Sequence, residues 1–274
     1  MNLFSPADVA KNYIATGKAK VNTPVAKMIL LGIMAGAFIA FGGVASTAVA
    51  VSVPFASVGK FLGACILPGG LTMVLLAGSE LFTGNCLLTI PLLEKEISFG
   101  GMLKNWVFVY IGNFIGGMLV AAGVVYSHEV SLFDNGMAVS VISTAAGKCS
   151  LSFGDAFIKG ILCNFLVCIA VWISFAAKDV VSKIVGLFFP IMIFVLSGFE
   201  HSIANMYYIC AGLFAKGNPV YAEAAKAAGV NLDALTVNGF LVKNLVPVTL
   251  GNIVGGALLV GCVYWFIYLR KNDK

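Results

Sequence analysis

Charge is what this chain of 274 residues has least of. Asp, Glu, Lys and Arg together make up 11%, against about 25% in an ordinary soluble domain. Hydrophobic residues supply 60%, and so few polar groups cannot cover a globular surface. Lipid is therefore the solvent for much of the chain. Histidine is scarcer still, with only His128 and His201. The seven cysteines show no CxxC and no Cys/His spacing. That excludes a metal cluster and a disulfide framework, and within apolar runs they read as small buried hydrophobes. No cofactor motif, nucleophile motif or soluble catalytic region is present, so an enzyme is not expected. A net charge of +5, thinly spread, excludes a nucleic-acid surface. Residues 1–24 are polar and basic with no apolar core, unlike a cleavable signal peptide.

Apolar stretches occupy about 27–53, 61–93, 103–127, 156–177, 184–215 and 243–269. One span needs ~20 residues. The second and fifth stretches are too long for one clean helix and contain charge, so both read as interrupted. Ahead of them, Ser5-Pro6 with Asp8 is a helix start. Residues 1–24 thus hold an amphipathic N-terminal helix expected on the membrane surface, and 25–274 a single transmembrane domain. Six spans leave both termini on one side. That side receives Lys11, Lys18, Lys20, Lys27, Lys95, Lys104, Lys178, Lys183, Arg270, Lys271 and Lys274. The other receives Lys60, Lys148, Lys159, Lys216, Lys226 and Lys243. The larger number marks the cytoplasm, so both termini are expected there, in a multi-pass protein of the cell membrane.

The two halves, about 25–130 and 150–270, resemble each other. Residues 104–117 read KNWVFVYIGNFIGG and residues 243–256 read KNLVPVTLGNIVGG, identical at eight of fourteen positions without a gap. Gly78-Ser79-Glu80-Leu81 corresponds to Gly198-Phe199-Glu200-His201, with Asn85 and Asn205 each five residues past the glutamate. Gly32 to Gly36 aligns with Gly160 to Asn164. A repeat of three spans, an odd number, inverts its second copy, an arrangement that places substrate near the midplane between discontinuous helices. The glycine pairs Gly32/Gly36, Gly112/Gly116 and Gly251/Gly255 have the spacing of close helix packing, within one chain or between protomers.

An acid at membrane depth costs at least ~2.5–3.5 kcal/mol on insertion scales, so Glu80 and Glu200 need a purpose. Present in both copies, they read as structural groups capping free N–H groups where a broken helix restarts, with direct ion handling as the other reading. Positions where the copies disagree point to substrate. Leu81 becomes His201, and Gly36 becomes Asn164. His201, at a helix break beside a carboxylate, is placed to hydrogen-bond an anion or lend it a proton. Asn164 is either an amide donor to substrate or an interhelical tie. Thr83 offers a hydroxyl in the interrupting loop. Leu67, Leu71, Leu81 and Phe194 flank the breaks as an apolar constriction. Lys148, ahead of the fourth span, would attract anions at a pore mouth.

Gly78-Ser79-Glu80-Leu81-Phe82-Thr83-Gly84-Asn85 and Gly198-Phe199-Glu200-His201-Ser202-Ile203-Ala204-Asn205-Met206 resemble the two signature segments of the formate/nitrite transporter family. Lys104-Asn105-Trp106 and the Gly-Asn-x-x-Gly-Gly segments fit it too, and the resemblance covers essentially the whole chain. Within the family the sequence looks most similar to the hydrosulfide channel branch. The resemblance implies a homopentamer with an aquaporin-like pore in every protomer, carrying small monovalent anions such as formate, nitrite or hydrosulfide. It also implies pore roles for Thr83, Leu81, His201, Lys148, Asn164 and Phe194; the match is weaker at Leu67, which bears on constriction width. A proton-coupled transporter and a neutral-solute facilitator remain the alternatives, and no cofactor is implied.

Overall fold

The computed structural model describes residues 3–270 and is helical throughout, apart from one antiparallel bridge between Leu3 and Ala177. Lys271 and Lys274, counted above, lie outside the described residues. The helices are α1 (Pro6–Asn22), α2 (Val25–Ala50), α3 (Ala56–Leu76), α4 (Phe82–Leu93), α5 (Phe99–Tyr126), α6 (Gly136–Cys149), α7 (Phe153–Ala176), α8 (Val180–Leu196), α9 (Ser202–Lys216), α10 (Pro219–Ala227) and α11 (Gly239–Tyr268). Among these, α2, α3, α5, α7 and α11 are long and apolar enough to cross a bilayer. The α3/α4 and α8/α9 pairs are the two interrupted spans, so the six spans fall into two groups of three.

The breaks span residues 77–81 and 197–201. Each opens on a glycine in the left-handed region, Gly78 at φ 78° and Gly198 at φ 71°, where a side chain would be strained. Irregular backbone at membrane depth must find partners inside the protein, and the third span of each half supplies them. Asn113 of α5 accepts from Phe82 N at 3.0 Å and donates to Glu80 O at 2.9 Å and Gly32 O at 2.8 Å. Asn252 of α11 accepts from Ser202 N at 2.9 Å and donates to Glu200 O at 3.0 Å and Gly160 O at 2.8 Å. The restarting helices are therefore capped by these asparagines. The expected caps, the Glu80 and Glu200 carboxylates, do something else.

Each carboxylate closes a ring of side chains. Glu80 accepts from Lys20 Nζ at 2.7 Å and Asn85 Nδ2 at 2.6 Å; Asn85 also donates to Asn105 Oδ1 at 2.8 Å, and Asn105 returns to Lys20 O at 3.4 Å. Glu200 accepts from Lys148 Nζ at 2.9 Å and Asn205 Nδ2 at 2.6 Å; Asn205 also donates to Asn244 Oδ1 at 2.8 Å, and Asn244 returns to Lys148 O at 2.9 Å. The partners are identical residue for residue. The ring needs a lysine from outside the three spans, and α1 provides it in the first half as α6 does in the second. This explains why α1 does not rest on lipid. Its apolar stripe of Val9, Tyr13 and Gly17 is buried in protein, with the Tyr13 ring 5.2 Å from Phe175, edge to face. Its start is as expected, a reciprocal capping box in which Ser5 Oγ accepts from Asp8 N at 3.2 Å and Ser5 N donates to Asp8 at 3.3 Å. The helices α6 and α10 are additions that the apolar runs do not reveal.

The expected glycine contacts lie within the chain, where α2 crosses α5 and α7 crosses α11. A side chain at Gly32 would meet Val109 O at 2.8 Å, and one at Gly112 would meet Ile29 O at 2.5 Å. In the second half a side chain at Gly160 would meet Val248 O at 2.8 Å. The halves also interlock, because α9 packs on α2 and α5 while α4 packs on α7 and α11. Both restarted helices thus meet at the seam between repeats.

Two outcomes test this frame. Gly112→Val overfills the α2–α5 contact, and overpacking of this kind costs ~1–3 kcal/mol; thermal unfolding of the purified protein in detergent should begin several degrees below wild type. Glu200→Gln leaves the largely buried Lys148 without its counter-ion. Removing one partner of a buried pair costs ~3–5 kcal/mol. The double variant Lys148→Met/Glu200→Gln should unfold at a higher temperature than Glu200→Gln alone.

Candidate functional site

At the seam, the residues that break the symmetry of the repeat come together. His201 ends the second break and Thr83 lies in the first turn of α4, and Thr83 Oγ1 is 2.9 Å from His201 Nε2. Ala204 N donates to His201 Nδ1 at 3.0 Å. A ring nitrogen that accepts carries no hydrogen, so Nε2 holds it and donates to Thr83. A second proton would set Nδ1–H against the Ala204 N–H, so this arrangement holds the imidazole neutral. The Thr83 hydroxyl accepts one bond and keeps its own hydrogen for a further acceptor. Both residues are buried, at 0% and 3% exposure. Their symmetry counterparts, Ile203 and Leu81, have no polar group, so the pair occurs once.

Asn164 supports this pair from behind. Its Nδ2 donates to Thr83 O at 3.2 Å and to Asn252 O at 2.7 Å, which uses both amide hydrogens. Of the two readings of Asn164, the geometry is that of an interhelical tie. Cys168 Sγ donates to the same Thr83 carbonyl at 3.3 Å. Gly36, the counterpart of Asn164, instead lets the Asn113 backbone approach where a side chain would collide. The tie across the seam is thus built from a difference between the copies.

Three spaces lie along the molecule at this seam. A first vestibule of about 360 Å³ opens at the α1 end and is lined by Tyr13, Lys20, Glu80, Leu81, Val171 and Phe175, among others. A second of about 260 Å³ opens at the α6 end, lined by Lys60, Leu67, Lys148, Phe194, Glu200 and His201, among others. Adjoining the second is a small cavity of about 10 Å³ walled by Leu67, Leu71, Ile191, Phe194 and His201 with their neighbours. Leu67, Phe194 and His201 face both the cavity and the second vestibule, and so form the partition between them. The Phe194 ring stacks on His201 at 5.9 Å and 22°. Leu81 is buried at the floor of the first vestibule.

The structure therefore brings together Thr83, His201, Asn164, Phe194, Leu67 and Leu71, with Leu81 at the other side of the same seam. Lys148 is near them but is not a free cation. It lines the second vestibule, but its ammonium is held by Glu200 at 2.9 Å and lies 5.6 Å from the Tyr208 ring centre. Glu80, Asn85, Glu200 and Asn205 occupy the rings. Sequence reasoning passed over Lys20, Asn105, Asn113, Asn244, Asn252 and Cys168 as site residues. For the four asparagines the signal was in view, since they are among the eight identities of the repeat. For Lys20 it lay in the same spacing of 128 residues that relates Gly32 to Gly160.

Proteins similar to this chain carry the names of channels and transporters. Residues 7–266 match the formate/nitrite transporter family. A probable formate transporter of Methanothermobacter thermautotrophicus is 39% identical over 285 residues, covering 97% of this chain and 98% of the relative. The formate channel FocA of Escherichia coli strain K12 is 37% identical over 277 residues, covering 99% and 97%. Among solved structures, a pentameric formate channel with formate bound aligns with a TM-score of 0.79 at 34% identity, over 90% of this chain and 98% of that one. An FNT family ion channel gives 0.82 at 29% identity, over 95% and 98%. Matched over almost its entire length in sequence and in fold, this multi-pass membrane protein belongs to the formate/nitrite transporter family.

Proposed function

We propose that the protein is a homopentameric channel of the cytoplasmic membrane, with one pore per protomer, that passes small monovalent anions of weak acids, formate first among them. The observation that carries the proposal is the single Thr83–His201 pair at the seam between two vestibules. Its relatives support it, since they include proteins named for formate transport and a pentameric formate channel. The count of Lys and Arg favours the α1 end as cytoplasmic, with both termini on that side.

A bare anion entering a passage walled by Leu and Phe loses water that apolar groups cannot replace. Thr83 offers a hydroxyl hydrogen in exchange. Because His201 donates to the same oxygen, the hydroxyl is polarised toward giving its own hydrogen to the anion. A neutral imidazole that surrendered its one N–H proton would be left as an anion itself. His201 is therefore a hydrogen-bond donor through Thr83, and the anion passes unprotonated. Asn164 and Cys168 fix the Thr83 carbonyl and so orient the hydroxyl. Leu81 on one side, and Leu67 and Phe194 on the other, bound this short polar stretch and exclude a continuous water column. Lys148, neutralised by Glu200, holds the second ring together.

Hydrosulfide is a second reading with its own support. A cavity of about 10 Å³ accommodates about one water-sized body. Hydrosulfide has one heavy atom to formate's three, so its passage requires less movement of Leu67 or Phe194.

Thr83→Val keeps shape and removes the donor. A hydrogen bond to a charged group contributes ~1.5–3 kcal/mol, so formate flux into proteoliposomes should fall about 10- to 100-fold with the oligomer intact. Flux of formate, nitrite and hydrosulfide should follow an imposed membrane potential, faster into vesicles held positive inside. Flux indifferent to potential but driven by a pH gradient would overturn the channel reading in favour of proton coupling or passage of the neutral acid.

A further inference from the structure

The two vestibules are built from corresponding residues, and they differ by one charge. In the first, Lys20 and Glu80 are the charged groups and they neutralise each other at 2.7 Å. In the second, Lys148 and Glu200 form the equivalent pair at 2.9 Å, but Lys60 is present in addition. Lys60 is exposed, and its ammonium makes no hydrogen bond or ion pair with any described residue. It sits directly over the second break. A side chain placed on Gly198 would meet Lys60 Nζ at 3.4 Å, whereas one on Gly78 would meet nothing within 4 Å. Lys60, Gly63 and Leu67 follow one face of α3 and all line this vestibule. Lys60 therefore stands two turns, ~10 Å, outward from the Leu67 partition, about one Debye length at physiological salt.

We propose that Lys60 is the anion-capture residue of the α6-end mouth, holding a monovalent anion between bulk water and the Leu67–Phe194 partition, and that it makes entry from this side unlike entry from the other. The inference rests on the anion-channel reading above. The paired Lys148 and Lys20 present dipoles that fall off quickly with distance. The unpaired Lys60 presents a whole charge in a recess with apolar walls, where field lines are concentrated. With the α6 end outside, capture acts on uptake.

The test uses right-side-out vesicles from cells lacking formate transport of their own, with formate flux measured in both directions against concentration. A unit charge at about 4 Å in a water-like medium changes affinity about fivefold. Lys60→Met should raise the uptake KM by about that factor, with the maximal rate within twofold and the export KM unchanged. Lys60→Arg should restore the wild-type KM, and Lys60→Glu should raise it further than Lys60→Met. Rising ionic strength should weaken sub-saturating uptake in wild type and leave Lys60→Met unaffected. An uptake KM for both Lys60→Met and Lys60→Glu within twofold of wild type would overturn the capture role while leaving the channel intact. No formate flux in wild type would instead overturn the channel reading itself.

Discussion

Backbone that stops being helical inside a membrane has no water to turn to, and this constraint governs the whole protein. Two breaks mean two sets of amide and carbonyl groups that would each cost several kcal/mol if left open. One asparagine from the third span of each half accepts from the first N–H of the restarted helix and donates to the glutamate carbonyl ahead of it and to a first-span carbonyl. The glutamate N–H reaches the first span at Leu31 O or Lys159 O. For an asparagine side chain to reach the break, the spans must touch almost backbone to backbone. Hence glycines line the α2–α5 and α7–α11 crossings, with Gly112 against Ile29 and Gly160 against Val248. The polar and the apolar features of the fold are thus one solution. A larger residue at the crossing withdraws the asparagine, and a withdrawn asparagine uncovers the break.

The carboxylates follow from the same requirement. Asn85 and Asn205 lie on the restarted helices, where their amide groups need acceptors, and Glu80 and Glu200 supply them. A buried carboxylate needs a positive partner in turn. Neither half takes this lysine from its own spans; each takes it from a short helix outside them, α1 or α6. In this way α1 and α6, with unrelated loops around them, come to occupy equivalent places. Both lysines also return a backbone carbonyl to the ring, which ties the short helix by main chain as well as by charge.

How much of this was legible in the sequence depended on whether a feature is written twice. The six spans, the interruptions and the inversion could be read because period and composition repeat. Glu80 and Glu200 were found as a pair, but their partners were assigned by proximity in sequence, to N–H groups nearby. One true partner of each lies five residues on, Asn85 or Asn205, but the other, Lys20 or Lys148, is 60 or 52 residues away, and no local pattern encodes such a distance. The identities in KNWVFVYIGNFIGG and KNLVPVTLGNIVGG marked Asn105, Asn113, Asn244 and Asn252 without saying what they touch. His201 and Thr83 could be singled out because each differs from its counterpart, Leu81 or Ile203. That they bond to each other was not legible, since it depends on the halves interlocking. The pairing of Lys148 with Glu200 was not legible for the same reason: a contact across 52 residues is a property of the fold.

Symmetry and function divide the chain between them. A two-fold frame can supply two equal vestibules and two equal rings, but one polar contact at the centre requires unequal halves. If both copies carried histidine, two imidazoles would face each other at the seam. If both carried leucine, the Thr83 hydroxyl would lose the imidazole that polarises it. One His201 donating to one Thr83 leaves a single hydroxyl hydrogen free to be given, and a single contact cannot trap an anion as a cage of donors would. Weak binding at the midpoint between apolar partitions is what rapid passage needs, because an ion held as tightly as in water would not leave. The same logic locates the stronger attraction at the mouth, where the anion is still hydrated and an unpaired lysine over Gly198 concentrates it without impeding its exit on the far side.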